Sequence, residues 1–329
     1  QASAIPWAIG VRCTGVSRAR VEESFARGEL VRSWPMRGTV HVTSARDHHW
    51  LRRLLRHRRA AWERQALSLG LDDALVERAA QVACELLETS PLGVSRVELV
   101  EAWGRNGIDT VTASSSQEGL RRRHLIMRLH LDGVLTAGPV RAGEHLIVDA
   151  RSLPSAPGVA KGEDGHEEAL AVLAARYAWG HGPIDEADLA RWTGLTLTEA
   201  RRALAGARVA GESVGLPLAE CGGGLARADL ADLVEDYRVE AEAMHALPSF
   251  DELHVGYKDR SCLTDEAGEA LICPAKNGMF RPIVVEGGRV VAVRAPGREI
   301  VMVKGYESRQ RPAARAFDDW EKWLSETQQ

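Results

Sequence analysis

The sequence predicts a mainly α-helical protein with β-ribbons, an α+β fold, and three observations predict it. Hydroxyl residues stand three positions ahead of glutamates at Ser95/Glu98, Ser115/Glu118 and Thr196/Glu199, the spacing of a capping box that opens a helix. Around those signals the order helix, helix, helix, hairpin runs twice, over about 73–149 and again from His166. The opening stretch "VRSWPMRGTVHV" and the tail "PIVVEGGRVVAVR" both place β-branched and aromatic runs on either side of glycine turns. Three helices followed by a β-ribbon make a winged helix, so the expected architecture is three tandem winged-helix modules plus a small C-terminal β-rich domain.

Taken in order, residues 1–70 form the first module, with a helix at 18–27, its wing at 31–43 and a helix at 47–62. At the wing tip the Arg37-Gly38 pair makes the turn, with Gly38 expected to supply the positive φ. The chain opens on Gln1 rather than methionine, so the front of this module is expected to lie upstream. Residues 71–151 form the second module: helices at 73–89, at 96–106 with Trp103, and at 116–131, then a hairpin after Asp132-Gly133. "SLPSAPGVAKGEDG", 152–165, is too poor in apolar residues for a core and reads as a linker. The third module, 166–235, carries helices through Tyr177, at 185–193 with Trp192, and from Leu197 to about Val209, before the turn-rich "CGGG". Residues 236–329 supply the β-rich domain: two strands around Gly287-Gly288, a third in "EIVMV", and a closing helix at 312–325.

Composition narrows the function. The chain has 329 residues, 45% of them hydrophobic and 27% charged, which suits a globular protein with several cores. No apolar run approaches the ~20 residues needed to span a bilayer and no signal peptide is visible, so the expectation is a cytoplasmic monomer without a membrane partner. The five cysteines (Cys13, Cys84, Cys221, Cys262, Cys273) lack C-x-x-C spacing, so neither a disulfide framework nor a zinc site is expected. A net charge of −4 excludes coating nucleic acid by bulk charge but leaves room for a local basic face.

Such faces are visible. Arg52, Arg56 and Arg59 recur at i, i+4 and i+7 opposite Trp50, Leu51, Leu54 and Leu55, which places an amphipathic helix with its basic side outward. In "LRRRHLIMRL", Arg121, His124 and Arg128 oppose Leu125, Ile126 and Leu129 at the position of a recognition helix, where basic side chains meet phosphates and base edges. Arg37 at a wing tip can reach a phosphate or a groove. A merely solvated basic face, or a protein-binding surface, stays open on these patterns alone. No P-loop, zinc-protease or G-x-S-x-G signature is present, and the adjacent His48 and His49 fall on different helix faces, unsuited to sharing a metal. Residue chemistry therefore ends at double-stranded DNA as partner, with a non-catalytic regulator and a protein-interaction scaffold as rivals.

Longer stretches carry a family resemblance. "LVRSWPMRGTVHVTSARD", "ARYAWGHGPIDEADLARWTGLTLTEAR", "LPSFDELHVGYKDRS" and "GMFRPIVVEGGRVV" resemble, over nearly the whole chain, the winged-helix AlkZ-like family of bacterial DNA glycosylases. The resemblance implies three winged helices curved around a channel, excision of bulky N7-alkylated purines including crosslinks, and no cofactor. It also implies a Gln-x-Gln motif ahead of the first wing. Counting back from Arg12, which matches the family arginine, Gln1 falls near the second glutamine; in the other register Gln1 is the first and Ser3 takes the second place. Gln1 is thus the catalytic candidate. Arg32, Arg37, Thr39 and His41 match the wing signature and Lys258 and Arg260, with Tyr257, match "GYKDRS". They are expected either to line the channel or to hold wing and β domain together, while Trp34, Trp192 and Phe250 are expected to fill cores.

Overall fold

The computed structural model of the protein describes residues 5–37, 39–55, 60–110, 115–155 and 165–326. The chain forms two compact units, one gathering Ser3–Val21 with Ala160–Gln329, the other holding Glu22–Val159. Two helices open the chain, α1 (Ile5–Gly10) and α2 (Arg18–Ala26).

In the unit 22–159, β1 (Leu30–Met36) and β2 (Thr39–Ser44) form the expected hairpin. The helix expected over 47–62 is α3 (His48–Leu54) and α4 (Ala60–Ser68), residues 56–59 lying outside the described part. Then come α5 (Asp73–Glu88), α6 (Arg96–Arg105), α7 (Ser115–Leu131) and a second hairpin, β3 (Leu135–Arg141) and β4 (Glu144–Asp149). Asp72 caps α5 by accepting the Leu75 amide, and the Ser95/Glu98 capping box closes in both directions. The Ser115 and Glu118 side chains lie outside the described residues.

The two hairpins are built alike and share one antiparallel sheet, ordered β2-β1-β3-β4. Each ladder slips by one residue, between Ser33 and Met36 in one and between Ala137 and Val140 in the other. Pro35 and Pro139 fall inside those slips: proline has no N–H for a ladder, and a bulge removes the need for one. The first turn departs from expectation, because Arg37 itself takes a left-handed backbone, φ 52°, while Gly38 lies outside the described residues. A side chain at that φ costs about 1 kcal/mol, so the turn is mildly strained where its arginine sits.

The core of this unit gathers Leu71, Val76, Ala79 and Ala83 with Leu99, Trp103, Ile108, Leu125, Leu129, Leu135 and Ile147. Trp103 is fully buried, and its Nε1–H donates to the Ala79 carbonyl at 2.9 Å.

In the other unit, α8 (His166–His181) is buried almost all round and packs against α10 (Leu197–Ser213), with α9 (Glu186–Thr193) between them in sequence. Ala200, Ala203, Ala207 and Ala210 give α10 a small-residue face that lets the two helices approach closely. Thr196/Glu199 caps α10 as expected, and Asp185/Asp188 forms a further capping box on α9. The "CGGG" stretch turns a two-stranded ribbon, β5 (Leu218–Cys221) and β6 (Gly224–Arg227).

Two short helices follow, α11 (Leu230–Asp236) and α12 (Arg238–Glu242), then β7 (His245–Leu247), α13 (Glu252–Val255) and α14 (Glu266–Ile272). A meander of β8 (Ile283–Glu286), β9 (Arg289–Arg294) and β10 (Ile300–Met302) joins β7 in a sheet ordered β10-β9-β8-β7, covered by α15 (Gln310–Ser325). Gly287 and Gly288 both take positive φ, 56° and 74°, as a two-residue hairpin turn requires.

The sequence groups the first twenty residues with the wing that follows, but the contacts tie them to the far end of the chain. Trp7 stacks on Trp320 at 6.1 Å and meets Trp323 edge-on at 5.2 Å, and its Nε1–H donates to the Ala246 carbonyl. Trp323 donates to the Val16 carbonyl, and Arg18 to that of Leu324. A six-residue helix cannot bury its own tryptophan, and α15 offers the aromatic partners. No helix among the described residues is long and apolar enough to cross a membrane.

Replacing Trp103 by Phe leaves the Ala79 carbonyl buried without its donor and should cost about 1–3 kcal/mol; Trp103→Ala should cost about 3–5 kcal/mol. Urea unfolding followed by circular dichroism measures both, and a Trp103→Phe loss below a few tenths of a kcal/mol would contradict this reading of the core.

Candidate functional site

The hairpin residues singled out from the sequence have distinct surroundings. Thr39 Oγ1 lies 2.7 Å from His41 Nε2, so these two are paired on the ribbon. Arg32 is half-buried, its guanidinium carbon 5.8 Å from the Trp34 ring centre. Arg32 Nε is buried without an acceptor, and no carboxylate pairs with Arg32 among the described residues. Burial, then the nearby Arg96, pulls its pKa down, against the opposing pull of Glu144. A guanidinium so placed is matched by an anion from outside the chain.

Beneath this ribbon lie neutral histidines. His48 is fully buried with Nδ1 3.1 Å from Ser33 Oγ, and burial, then His49 and Arg52, brings its pKa down to about 3. His130, edge-on to Trp34 at 4.6 Å, is pushed well below the ordinary histidine range by burial, His48 and Arg32. His49 is spent on the Ala150 carbonyl at 2.7 Å, and no group of three metal-ligating side chains occurs among the described residues. Trp34, expected in the core, is partly buried, sandwiched by these groups.

The basic faces also rearrange. Arg52, expected to point outward, donates to the Leu131 carbonyl at 2.7 Å and lies over Gly133, where it satisfies the C-terminal end of α7. Arg56 and Arg59 lie outside the described residues, as does Gln1. On α7, Arg128 is mostly buried and bound to Asp132 at 2.6 Å and Asp73 at 3.0 Å. Its pKa falls with burial but rises more through Asp132 and Asp73, ending above the ordinary value. His124 is buried. The cations left for an external partner are Arg121, half-buried with Nε unsatisfied, and the neighbouring Arg122 and Arg123, which have no carboxylate partner among the described residues. The triple-arginine run was visible in the sequence; helical phase could not show which of its members acids would claim.

A second group belongs to the unit of 3–21 and 160–329. Arg12 grips Asp251 with both terminal nitrogens, at 3.0 and 2.7 Å. Burial lowers the Arg12 pKa, but the hydrogen bonds and charge of Asp251 more than offset it. Next in the chain, Glu252 accepts the Trp192 Nε1–H and lies 3.3 Å from His181 Nε2. Tyr177 stacks on both His181 and Trp192, at 4.5 and 4.6 Å, and donates to the Gly256 carbonyl at 2.6 Å. Trp192 is thus a contact residue as well as the filler expected of it.

Tyr257 donates to the His181 carbonyl at 3.0 Å, and burial with the neighbouring Glu252 and Asp188 pushes its pKa up to about 12, which keeps the phenol a donor. Lys258 is exposed, its backbone amide bound to Asp188 at 2.8 Å. Arg260 is engaged internally, 3.2 Å from His254 Nε2 and 3.4 Å from Glu269. Phe250 packs edge-on to Phe280, as expected of a core filler, but at a left-handed φ of 64°.

The quoted segments thus converge on one aromatic and carboxylate cluster, and the family model for "DNA glycosylase AlkZ-like" matches residues 1–315. The chain belongs to the AlkZ-like family of DNA glycosylases. Among solved structures, Streptomyces sahachiroi DNA glycosylase AlkZ is similar at a TM-score of 0.61 and 21% identity, over 95% of this chain and 86% of that one, which establishes a shared fold. Comparison with curated proteins yields no match. Asp251, Glu252, His181 and Tyr177 of this AlkZ-like chain were not singled out from sequence, although they lie inside the matching segments. Their partners stand 60–239 residues away, beyond any local pattern.

His48 has a folded pKa near 3 against an ordinary 6.5, so the unfolded chain binds the extra proton between those values and stability falls as pH drops below about 6.5. At about pH 5, His48 alone should cost about 2 kcal/mol. Urea unfolding at pH 7 and pH 5 checks this, and His48→Gln should flatten the difference; an unchanged slope would contradict it.

Proposed function

We propose that this protein is a monofunctional DNA glycosylase that excises N7-alkylated purines from duplex DNA by hydrolysing the N-glycosidic bond. The observation that carries the reading is the reach of the family match, residues 1–315, which takes in Gln1, the first hairpin and the "GYKDRS" segment. The protein acts as a cytoplasmic monomer without metal or cofactor. Residues 1–70, 71–151 and 166–235 serve as winged helices and 236–329 as the β-rich domain.

The chemistry asks little of a general acid. Alkylation at N7 makes the purine cationic, so when the C1′–N9 bond breaks, its electron pair neutralises the departing base. Water adds at C1′ and gives its proton to solvent, leaving an abasic sugar. What remains for the enzyme is to orient that water and favour the positive charge growing on the sugar. Neutral amide dipoles can do this without a strongly perturbed carboxylate, and Gln1 is the residue assigned to it.

Arg121, Arg122 and Arg123 on α7 serve as phosphate contacts, with Arg32, Arg37, Thr39 and His41 on the first ribbon and Lys258 in the other unit. Arg52, Arg128 and Arg260 act by holding structure, given the acceptors they already engage. The unpaired state of Arg32, Arg122 and Arg123 supports this division.

Incubation with duplex DNA carrying N7-methylguanine should release the methylated base and leave an alkali-labile site. Gln1→Ala should abolish release while duplex affinity stays within about twofold; release at the wild-type rate would refute its role. A wild-type protein that binds the duplex tightly yet frees no cationic base would favour a non-catalytic DNA-binding protein. In a separate salt titration, Arg122→Ala and Arg123→Ala should each weaken binding for all sequences and lower the salt slope by about one. Arg128→Ala should reduce stability more than affinity, and equal loss of affinity across the three would contradict the assignment.

A further inference from the structure

Three features of the unit formed by 3–21 and 160–329 meet at Asp251. Its side chain is 1% exposed, and both carboxylate oxygens are held by the Arg12 fork. Oδ1 also accepts the Leu253 amide at 3.0 Å, which makes Asp251 the cap of α13. The residue before it, Phe250, holds φ 64°, a conformation that costs an aromatic side chain about 1–3 kcal/mol and persists only where surrounding contacts over-determine it. Strain, cap and ion pair all act on the placement of one carboxylate.

The arginine it holds belongs to the end of α1. Arg12 also donates to the Ala8 carbonyl at 2.9 Å, and the amides of Val11, Arg12 and Cys13 bond back to Trp7, Ile9 and Gly10. Six residues are too few for a helix to hold itself, so α1 takes its position from outside anchors: Trp7 among the aromatics of α15, and Arg12 on Asp251. Gln1 stands four residues ahead of α1 in the sequence. Catalysis by fixed dipoles is sensitive to their support, since a shift of about 1 Å can cost about a hundredfold in rate.

We propose that Asp251 is a positioning residue for base release: through Arg12 it fixes α1, and α1 sets the glutamine segment ahead of it. This rests on the glycosylase reading and on the role given there to Gln1. The pair is a device for rigidity, and Asp251 itself touches neither base nor sugar.

Asp251→Asn in the full chain isolates the effect, because asparagine caps a helix about as well as aspartate while removing the charge that holds the Arg12 fork. Hydrogen exchange at Val11, Arg12 and Cys13 should accelerate at least tenfold while β8 and β9 keep their protection. Single-turnover release of N7-methylguanine should fall at least tenfold with duplex affinity within about twofold. Arg12→Lys, which keeps the charge but not the fork, should fall between, and Arg12 is 43% exposed, so it reads the same pair should Asp251→Asn fail to fold. Unchanged exchange at residues 11–13 in these variants overturns the clamp, and unchanged release despite faster exchange overturns the positioning role. A wild-type protein that releases no base refutes the glycosylase reading instead, and the exchange measurement still decides the clamp.

Discussion

The bidentate bond between Arg12 and Asp251 is the interaction on which the candidate site depends. It joins residues 239 apart, so the N-terminal helix belongs to the same folded body as the C-terminal sheet. The tryptophans make the same join apolar: Trp7 with Trp320 and Trp323 on one side, Arg12 with Asp251 on the other. Neither alone suffices for a six-residue helix. An apolar contact leaves rotation about the helix axis free, whereas a fork gripping a capped carboxylate does not.

Charge is handled differently in the unit 22–159. Its buried histidines are held neutral by burial and by neighbouring cations, and its internal arginines Arg52 and Arg128 are matched to a helix terminus and to aspartates. Arg32, Arg122 and Arg123 are left without carboxylates among the described residues. A chain with net charge −4 can in this way still present positive groups to a phosphate backbone, since affinity follows the local arrangement and not the sum. The pattern fits a reaction whose substrate already bears the positive charge that drives its cleavage.

Much of the fold was legible in the sequence because its signals are local. The Ser95 and Thr196 capping boxes, the Gly287-Gly288 turn and the alternating "PIVVEGGRVVAVR" strands depend only on neighbours within a few residues, and each element forms where those neighbours put it. The site was less legible for the opposite reason. The periodicity around Arg52 rightly buried Trp50, Leu51 and Leu54, but nothing local shows that the Leu131 carbonyl lies within reach of the guanidinium. The left-handed turn was expected at Gly38 and falls on Arg37, and the strain at Phe250 left no mark in composition. Asp251 sits in a recognisable segment, yet its importance comes from Arg12, at the other end of the chain.

The most direct test of the account is the structure of the full-length protein bound to duplex DNA carrying a cationic abasic-sugar analogue in which nitrogen replaces C1′. The account predicts the ring nitrogen of that analogue within hydrogen-bonding reach of the Gln1 side chain, with α1 still clamped to Asp251 and DNA phosphates on Arg121, Arg122 and Arg123. An analogue seated away from α1, with Gln1 touching neither sugar nor water beside it, would contradict it.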